Sequence, residues 1–375
     1  MTDPQAILDR AVAEGDLPFA VALVAAAGGT AWQGAAGDAA PGRPAGPDTV
    51  LRLFSMSKAV GAVAAAILVD RGRIGWDDPV GPAIPAFDAL PVLDGRDGDA
   101  ARLRPQRTRA TLAQLLAHTS GAAYEIWHPG VARFNAGARL PSPRSGIRAA
   151  LDLPLAFDPG AGWAYGTGPD WAGLLIEAVD GRRIDAFVRD EILDPLGMAD
   201  TVFEVPDHLR ARLAGVWLRT PEGLRRVDAP PVAHPEFWGM GHALTGPGRD
   251  YLRFLRMLLN HGTLDGQRIL SKPAAAALLT PRTGRLGPMP TCNPGASATV
   301  VRLAASTHSL LGVRTAAIPG RRGAGAQGWA GSSNTHWWLD PIRGRAGLFL
   351  TQLRPFWDPR VMAALEAFER AVHDR

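Results

Sequence analysis

The chain has 375 residues, 46% of them hydrophobic, enough to bury a large core and too many for one small domain. A net charge of +4 is small for that length, and acidic residues are plentiful, so composition argues against a nucleic-acid surface. The single cysteine, Cys292, excludes an intramolecular disulfide and a multi-cysteine metal centre.

Asp3-Pro4 opens a helix with an apolar stripe at Ile7, Leu8, Ala11 and Val12. The same stretch is acidic (Asp3, Asp9, Glu14, Asp16) where a secretory leader needs positive charge, and the longest apolar run, Ala59 to Val69, is too short to span a bilayer. A cytoplasmic protein without membrane contact is expected. Phe19–Ala26 and Thr30–Gly34 flank Gly28-Gly29 and predict a β-hairpin. Val50–Phe54 leads into a helix predicted from Ser55 to Asp70, apolar almost all round and therefore buried, with Gly72 at its end. Residues 80 to 160 are rich in proline and short helical patches such as Leu112–Leu116. Trp171–Val179, Ile184–Leu193 and Tyr251–Leu259 read as amphipathic helices. Thr299–Leu303, Gly328–Trp338 and Ala346–Gln352 have strand composition, with a turn at Asp340-Pro341. Val361, Leu365, Phe368 and Val372 mark a closing helix. A helix and hairpin at the start, with strands and a helix at the end, predict one sheet drawn from both ends and a helical region inserted between them.

Several signals carry no chemistry. The glycine-rich stretch from Gly323 to Gly328 matches a dinucleotide fingerprint but runs into a strand rather than a helix. Arg102 to Arg109 is basic without interleaved aromatics and reads as a solvated face. His118 reads as a histidine satisfying loop backbone. His242 and His336 stand out by their neighbourhoods only.

Of the 40 basic residues all but Lys58 and Lys272 are arginine, and Lys58 follows Ser55 by three positions. Arginine does not surrender its proton, whereas a lysine in apolar surroundings can. On a helix these two side chains share a face, and a helix N-terminus favours a developing oxyanion. An amine beside an otherwise inert hydroxyl is the arrangement of an activated nucleophile. Tyr165, one of three tyrosines, lies in a loop running into a helix and is a candidate second proton carrier.

Ser55-Met56-Ser57-Lys58, Tyr165 within Pro159-Gly160-Ala161-Gly162-Trp163-Ala164-Tyr165, and Trp329-Ala330-Gly331 resemble, in order, the three motifs of serine β-lactamases and penicillin-binding proteins. The flanking stretches Leu115–Gly121, Asp194–Met198, Gly248–Leu255, Leu264–Gly266 and Thr351–Phe356 are most similar to the family VIII carboxylesterases, a branch resembling class C β-lactamases. The resemblance implies an α/β (α+β) domain with an antiparallel sheet from residues 1–80 and 160–375. It also implies a mostly helical insertion at 81–159, with the active site between the two. Ser55 would be acylated, Lys58 and Tyr165 would share the proton work, and the N–H groups of Ser55 and Ser332 would hold the oxyanion. Where β-lactamases carry Tyr-x-Asn and Lys-Thr-Gly, this chain has Tyr165-Gly166-Thr167 and Trp329-Ala330-Gly331. Losing that lysine removes an attraction for a substrate carboxylate, and Trp329 is expected to form an apolar wall beside Gly331. Trp127, Phe237, Trp238, Trp337 and His242 are further lining candidates. The expected activity is hydrolysis of a small carboxylic ester, with no metal or cofactor. Acyl transfer, amide or D-amino peptide cleavage and lactam hydrolysis through the same acyl-enzyme are alternatives, and a non-enzymatic acylation sensor is a further one. A homo-oligomer is compatible with the sequence.

Overall fold

Phe19–Ala26 is apolar at every position, and successive strand residues face opposite ways, so this run needs cover on both sides. The computed structural model, which describes residues 3–97, 100–232, 234–286, 289–290, 300–301 and 306–373, supplies it. The main sheet comprises β1 (Phe19–Ala26), β2 (Gly29–Ala40), β3 (Arg43–Pro44), β4 (Thr307–His308), β5 (Val313–Arg314), β6 (Gln327–Gly331), β7 (Thr335–Asp340) and β8 (Arg345–Leu350). Its order is β4-β5-β6-β7-β8-β1-β2-β3, antiparallel throughout, and the two ends of the chain meet where Val21 pairs with Leu350.

Each face of β1 has its own cover. Ala20, Ala22 and Val24 join Phe349 under α1 (Pro4–Ala13) and the closing helix, against Leu8, Leu365 and Phe368. Val21, Leu23, Leu348 and Leu350 face the larger core with Tyr251 and Leu255. In that core lies α2 (Ser57–Asp70), alanine-rich and buried nearly all round. Small side chains let its neighbours come close: a Cβ on Gly61 would sit 3.0 Å from Met240. Helix α3 (Gly168–Asp180) packs against α2, and α4 (Gly248–Leu259) packs on β1 and β8.

Three expectations change in detail, and a fourth falls only partly within the described residues. Gly328–Trp338 is two strands, β6 and β7, because Ser332-Ser333-Asn334 turns between them with Asn334 at φ 60°. Residues 81–159 hold short helices but also a hairpin, Val92–Asp97 with Ala100–Arg104, whose register shifts between Leu93 and Arg96, where Gly95 has φ 90°. Ile184–Leu193 divides into an α-helical turn and a wider π turn from Arg189. Of Thr299–Leu303, only Val300–Val301 is described, pairing with Met289–Pro290; Cys292 lies outside the described residues. No helix among the described residues is long and apolar enough to cross a membrane.

Candidate active site

The nucleophile turn begins with strain. Phe54 has φ 47°, a left-handed conformation that costs a bulky residue on the order of 1–3 kcal/mol. Phe54–Met56 form a single 3-10 turn, so the α-helix starts at Ser57 rather than at Ser55 as the apolar pattern predicts. The surroundings hold this turn at many points. Leu53 N–H donates to Leu244 O (2.9 Å), and the Thr335 hydroxyl donates to Leu53 O (3.2 Å). The Tyr251 hydroxyl donates to Met56 O (2.9 Å), and Leu244 N–H donates to Ser57 Oγ (3.0 Å). The result is that Ser55 alone tips outward, half-exposed between buried Phe54 and Met56.

Tyr165 reaches the same place from a ribbon of irregular backbone. Ala156 N–H donates to Gly121 O (2.8 Å), Ala164 N–H to His118 O (3.0 Å), Tyr124 N–H to Tyr165 O (3.1 Å) and Thr167 N–H to Ala122 O (3.0 Å). Gly166 is required there, since a Cβ would lie 1.9 Å from Ala122 O. His118 Nδ1 accepts from Gly166 N–H (3.3 Å), and burial holds the ring well below its usual pKa and so neutral, the backbone-satisfying role expected of it.

At the centre, Lys58 Nζ donates to Ser55 Oγ (3.0 Å), Tyr124 Oη (3.2 Å) and Gly241 O (2.7 Å), one acceptor for each proton of an ammonium. Nζ also lies 4.8 Å from the Tyr165 ring centroid. Tyr165 Oη is 2.7 Å from Ser55 Oγ, and the Trp329 indole N–H donates to that same phenolic oxygen at 2.8 Å. Burial, then nearby Asp170, push the Tyr124 hydroxyl well above its ordinary pKa, so it remains a phenol. Asp170 accepts from Gly241 N–H (2.7 Å), and burial raises its carboxyl to about 6 against the pull of Lys58. Among the described residues no group of three or more histidine, cysteine or acidic side chains could hold a metal.

Ser55, Tyr124, Trp127, Tyr165, Ser332 and Phe356 line a cavity of about 140 Å³. Phe54, Arg144 and His242 are shared with a second cavity of about 190 Å³, which Phe237 and Trp238 help to line. The walls are mainly apolar, with few polar groups converging on Ser55, the usual make-up of a small-molecule site.

A family model described as Beta-lactamase matches residues 5–371. The chain belongs to the beta-lactamase family. Monacolin J acid methylbutanoyltransferase of Aspergillus terreus is 31% identical over 349 residues, 87% of this chain and 82% of that protein. Lovastatin esterase of Penicillium rubens is 34% identical over 238 residues, 61% and 58% of the respective chains. Unliganded simvastatin synthase (LovD) from Aspergillus terreus superposes with a TM-score of 0.86 at 27% identity, over 100% of this chain and 98% of that one. The fold is the β-lactamase/transpeptidase-like one, and the superfamily is one of serine hydrolases and acyltransferases.

Within this beta-lactamase-family site, Ser55, Lys58 and Tyr165 come together, and Ser332 lines the same cavity as Ser55. Trp127 and His242 border that cavity, while Phe237 and Trp238 border its neighbour. Two expectations need correction. Trp329 lines neither of these two cavities: its ring is buried against Tyr165 (centroids 5.0 Å apart), and what it offers the site is the indole N–H. Gly331 lines neither cavity; a Cβ there would fall 2.4 Å from Leu53 O, so glycine lets β6 press against the nucleophile turn and bring Ser332 beside it. Trp337 is core, and His336 lies buried beside Asn334. Tyr124, Asp170 and Gly241 escaped the sequence. For Tyr124 a signal existed: it is one of only three tyrosines and closely follows the His118-Thr119-Ser120-Gly121 stretch.

Proposed function

We propose that the chain is a serine acyltransferase: Ser55 takes an acyl group from an ester or thioester and passes it to an alcohol, with water as a competing acceptor. The observation that carries this is the Ser55 hydroxyl held between Lys58 Nζ (3.0 Å) and Tyr165 Oη (2.7 Å) at the mouth of a two-part apolar cavity. Ser55 Oγ attacks the donor carbonyl as its proton passes to Tyr165 Oη. Tyr165 takes that proton as a phenolate, whose negative charge Lys58 and the Trp329 N–H stabilise until the proton arrives and leaves a neutral phenol. The carbonyl oxygen becomes an oxyanion facing the Ser55 and Ser332 N–H groups. As the tetrahedral intermediate collapses, the proton goes to the leaving alcohol or thiol. The acceptor hydroxyl then enters from the second cavity, loses its proton to the same tyrosine and displaces Ser55. These steps use side chains and backbone N–H groups of this chain, on a small-molecule substrate.

Sequence alone put water first. Similarity over most of the chain to a methylbutanoyltransferase supports placing transfer ahead of hydrolysis. A second reading, plain ester hydrolysis, has the support of the shorter match to lovastatin esterase. Intact-protein mass spectrometry after reaction with a 2-methylbutyryl thioester tests the proposal. The expected result is a single acyl adduct mapping to Ser55 and absent in Ser55→Ala. Adding a cyclohexanol acceptor is expected to divert most product from acid to ester. An adduct on another side chain would overturn the acyl-enzyme, and free acid alone at saturating acceptor would leave an esterase.

A further inference from the structure

Of the three acceptors of Lys58, Gly241 O belongs to the backbone. Gly241 has a glycine's backbone freedom, so its carbonyl keeps a direction only where the peptides on both sides are tied. His242 N–H ties the following peptide by donating to Gly239 O (3.2 Å). Asp170 ties the preceding one, its Oδ1 accepting from Gly241 N–H at 2.7 Å. Between the two glycines, Met240 is held by the helices: a Cβ on Gly61 of α2 would lie 3.0 Å from it, and one on Gly173 of α3 would lie 3.1 Å from it. Asp170 stands in the first turn of α3, where an acid ordinarily faces water and the helix's own amides. Here it is fully buried, and its side chain reaches across to Gly241 instead. A buried carboxyl is costly, and the local sequence is shaped to admit this one. A Cβ on Gly239 would fall 2.6 Å from Asp170 Oδ1 and 2.4 Å from His242 Nε2; one on Gly241 would fall 2.8 Å from both Asp170 Oδ1 and Tyr124 Oη. The groups facing the carboxyl are therefore Lys58 from α2, Tyr124 from the irregular ribbon and His242, whose Nε2 is 3.9 Å from Oδ1. Burial keeps His242 neutral, with its pKa at about 3, and keeps Tyr124 a phenol, so Lys58 is the one of these three that carries charge.

We propose that Asp170, as a carboxylate, is a positioning residue for acylation: it fixes Gly241, whose carbonyl turns the Lys58 amine onto Ser55, and it balances the charge of that amine. Asp170 touches no substrate and acts through one glycine. The proton acceptor for Ser55 is then aimed from two directions, by Lys58 held on Gly241 and by Trp329 on the phenolic oxygen. This inference rests on the acyl-enzyme reading, and it holds whether an alcohol or water receives the acyl group.

Single-turnover acylation of Ser55 by a 2-methylbutyryl thioester, followed by intact-protein mass spectrometry across pH, is the test. In the unaltered protein the rate is expected to fall as pH drops through about 6, where the carboxylate takes up a proton. Asp170→Asn keeps an oxygen for the Gly241 N–H and imitates the protonated acid. It is expected to acylate about tenfold more slowly above that pH, with the fall near 6 absent and the steady-state KM little changed. Asp170→Ala also releases Gly241 and is expected to lose about 10²-fold, the cost of a misplaced catalytic group. A side chain that only filled the core would leave the pH profile unmoved. A fall near pH 6 that persists in Asp170→Asn, or undiminished rates in Asp170→Ala, would overturn the proposal. Phosphonylation of Ser55 by a fluorophosphonate reads the same nucleophile without an acyl donor, and the same ranking of the three proteins is expected. Equal phosphonylation of all three would overturn the role of Asp170. Ranked phosphonylation without any acylation would sink the acyl-enzyme reading and leave that role standing.

Discussion

The amine and hydroxyls that meet at Ser55 are settled among themselves. Lys58 gives its three protons to Ser55, Tyr124 and Gly241, while Thr335 and Tyr251 occupy the carbonyls of Leu53 and Met56. Across Phe54, Arg144 and Arg354 line a cavity in which, among the described residues, no carboxylate pairs with them. The first region is finished before any ligand arrives, so no reorganisation is needed at the moment of reaction. The second is left incomplete, and incompleteness is what makes a surface selective. Substitutions on the two sides should therefore behave differently: rates should collapse on one, and preferences should shift on the other.

The sharpest way to break that contrast is Lys58→Arg. Arginine keeps the charge but not the compact, titratable amine, and acylation is expected to fall by at least about 10⁴-fold in single-turnover assays with the fold retained by circular dichroism. Near-normal acylation would remove lysine from the proton path. Tyr165→Phe is expected to lower kcat by about 10² to 10⁴, the span of general acid–base catalysis, and a loss under tenfold would reduce Tyr165 to packing. Trp329→Phe deletes one N–H aimed at the phenolic oxygen. We expect about a tenfold lower kcat with KM little changed, uniformly across an acyl series and with a displaced pH–rate profile. A change in acyl-length preference instead would restore the wall that the sequence suggested.

The smallest effect concerns stability. Burial lowers His308 to about 4 and His242 and His336 to about 3, so these rings stay neutral in the folded protein while the unfolded chain protonates them near 6.5. Their contribution is complete above about pH 6.5 and is lost as pH falls toward 4 and below, on the order of 1–3 kcal/mol each. Asp170, raised to about 6, runs the other way: its contribution is present below about pH 4 and is lost as pH rises through 6. Three groups outweigh one, so urea midpoints should fall between pH 7 and 4.5, with a shallower slope in His336→Gln. Midpoints that rise on acidification would show Asp170 in control.

Much of this was legible in the chain. The apolar run at Phe19–Ala26 and the stripe through Val361, Leu365, Phe368 and Val372 announce elements whose burial pattern is local, and both are present. Ser55, Lys58 and Tyr165 could be picked out because few other residues offered that chemistry. What stayed hidden depends on distant partners. Trp329 could have faced either side of its strand, and only its pairing with Trp337 and its packing on Tyr165 decide which atom matters. Arg52, Arg144 and Arg354 are three among many arginines until folding gathers them around one cavity. Phe54 carries no mark of a left-handed backbone, since its neighbours impose it.

The register between β1 and β8 has a consequence for biosynthesis. Val21 bonds beside Leu350, so a growing polypeptide leaving the ribosome displays one bare strand edge until its partner, over 300 positions later, emerges. At roughly 5–20 residues per second that interval is on the order of tens of seconds. Throughout it, an all-apolar strand with unpaired amides is a template for aggregation, a hazard set by where the sheet is closed.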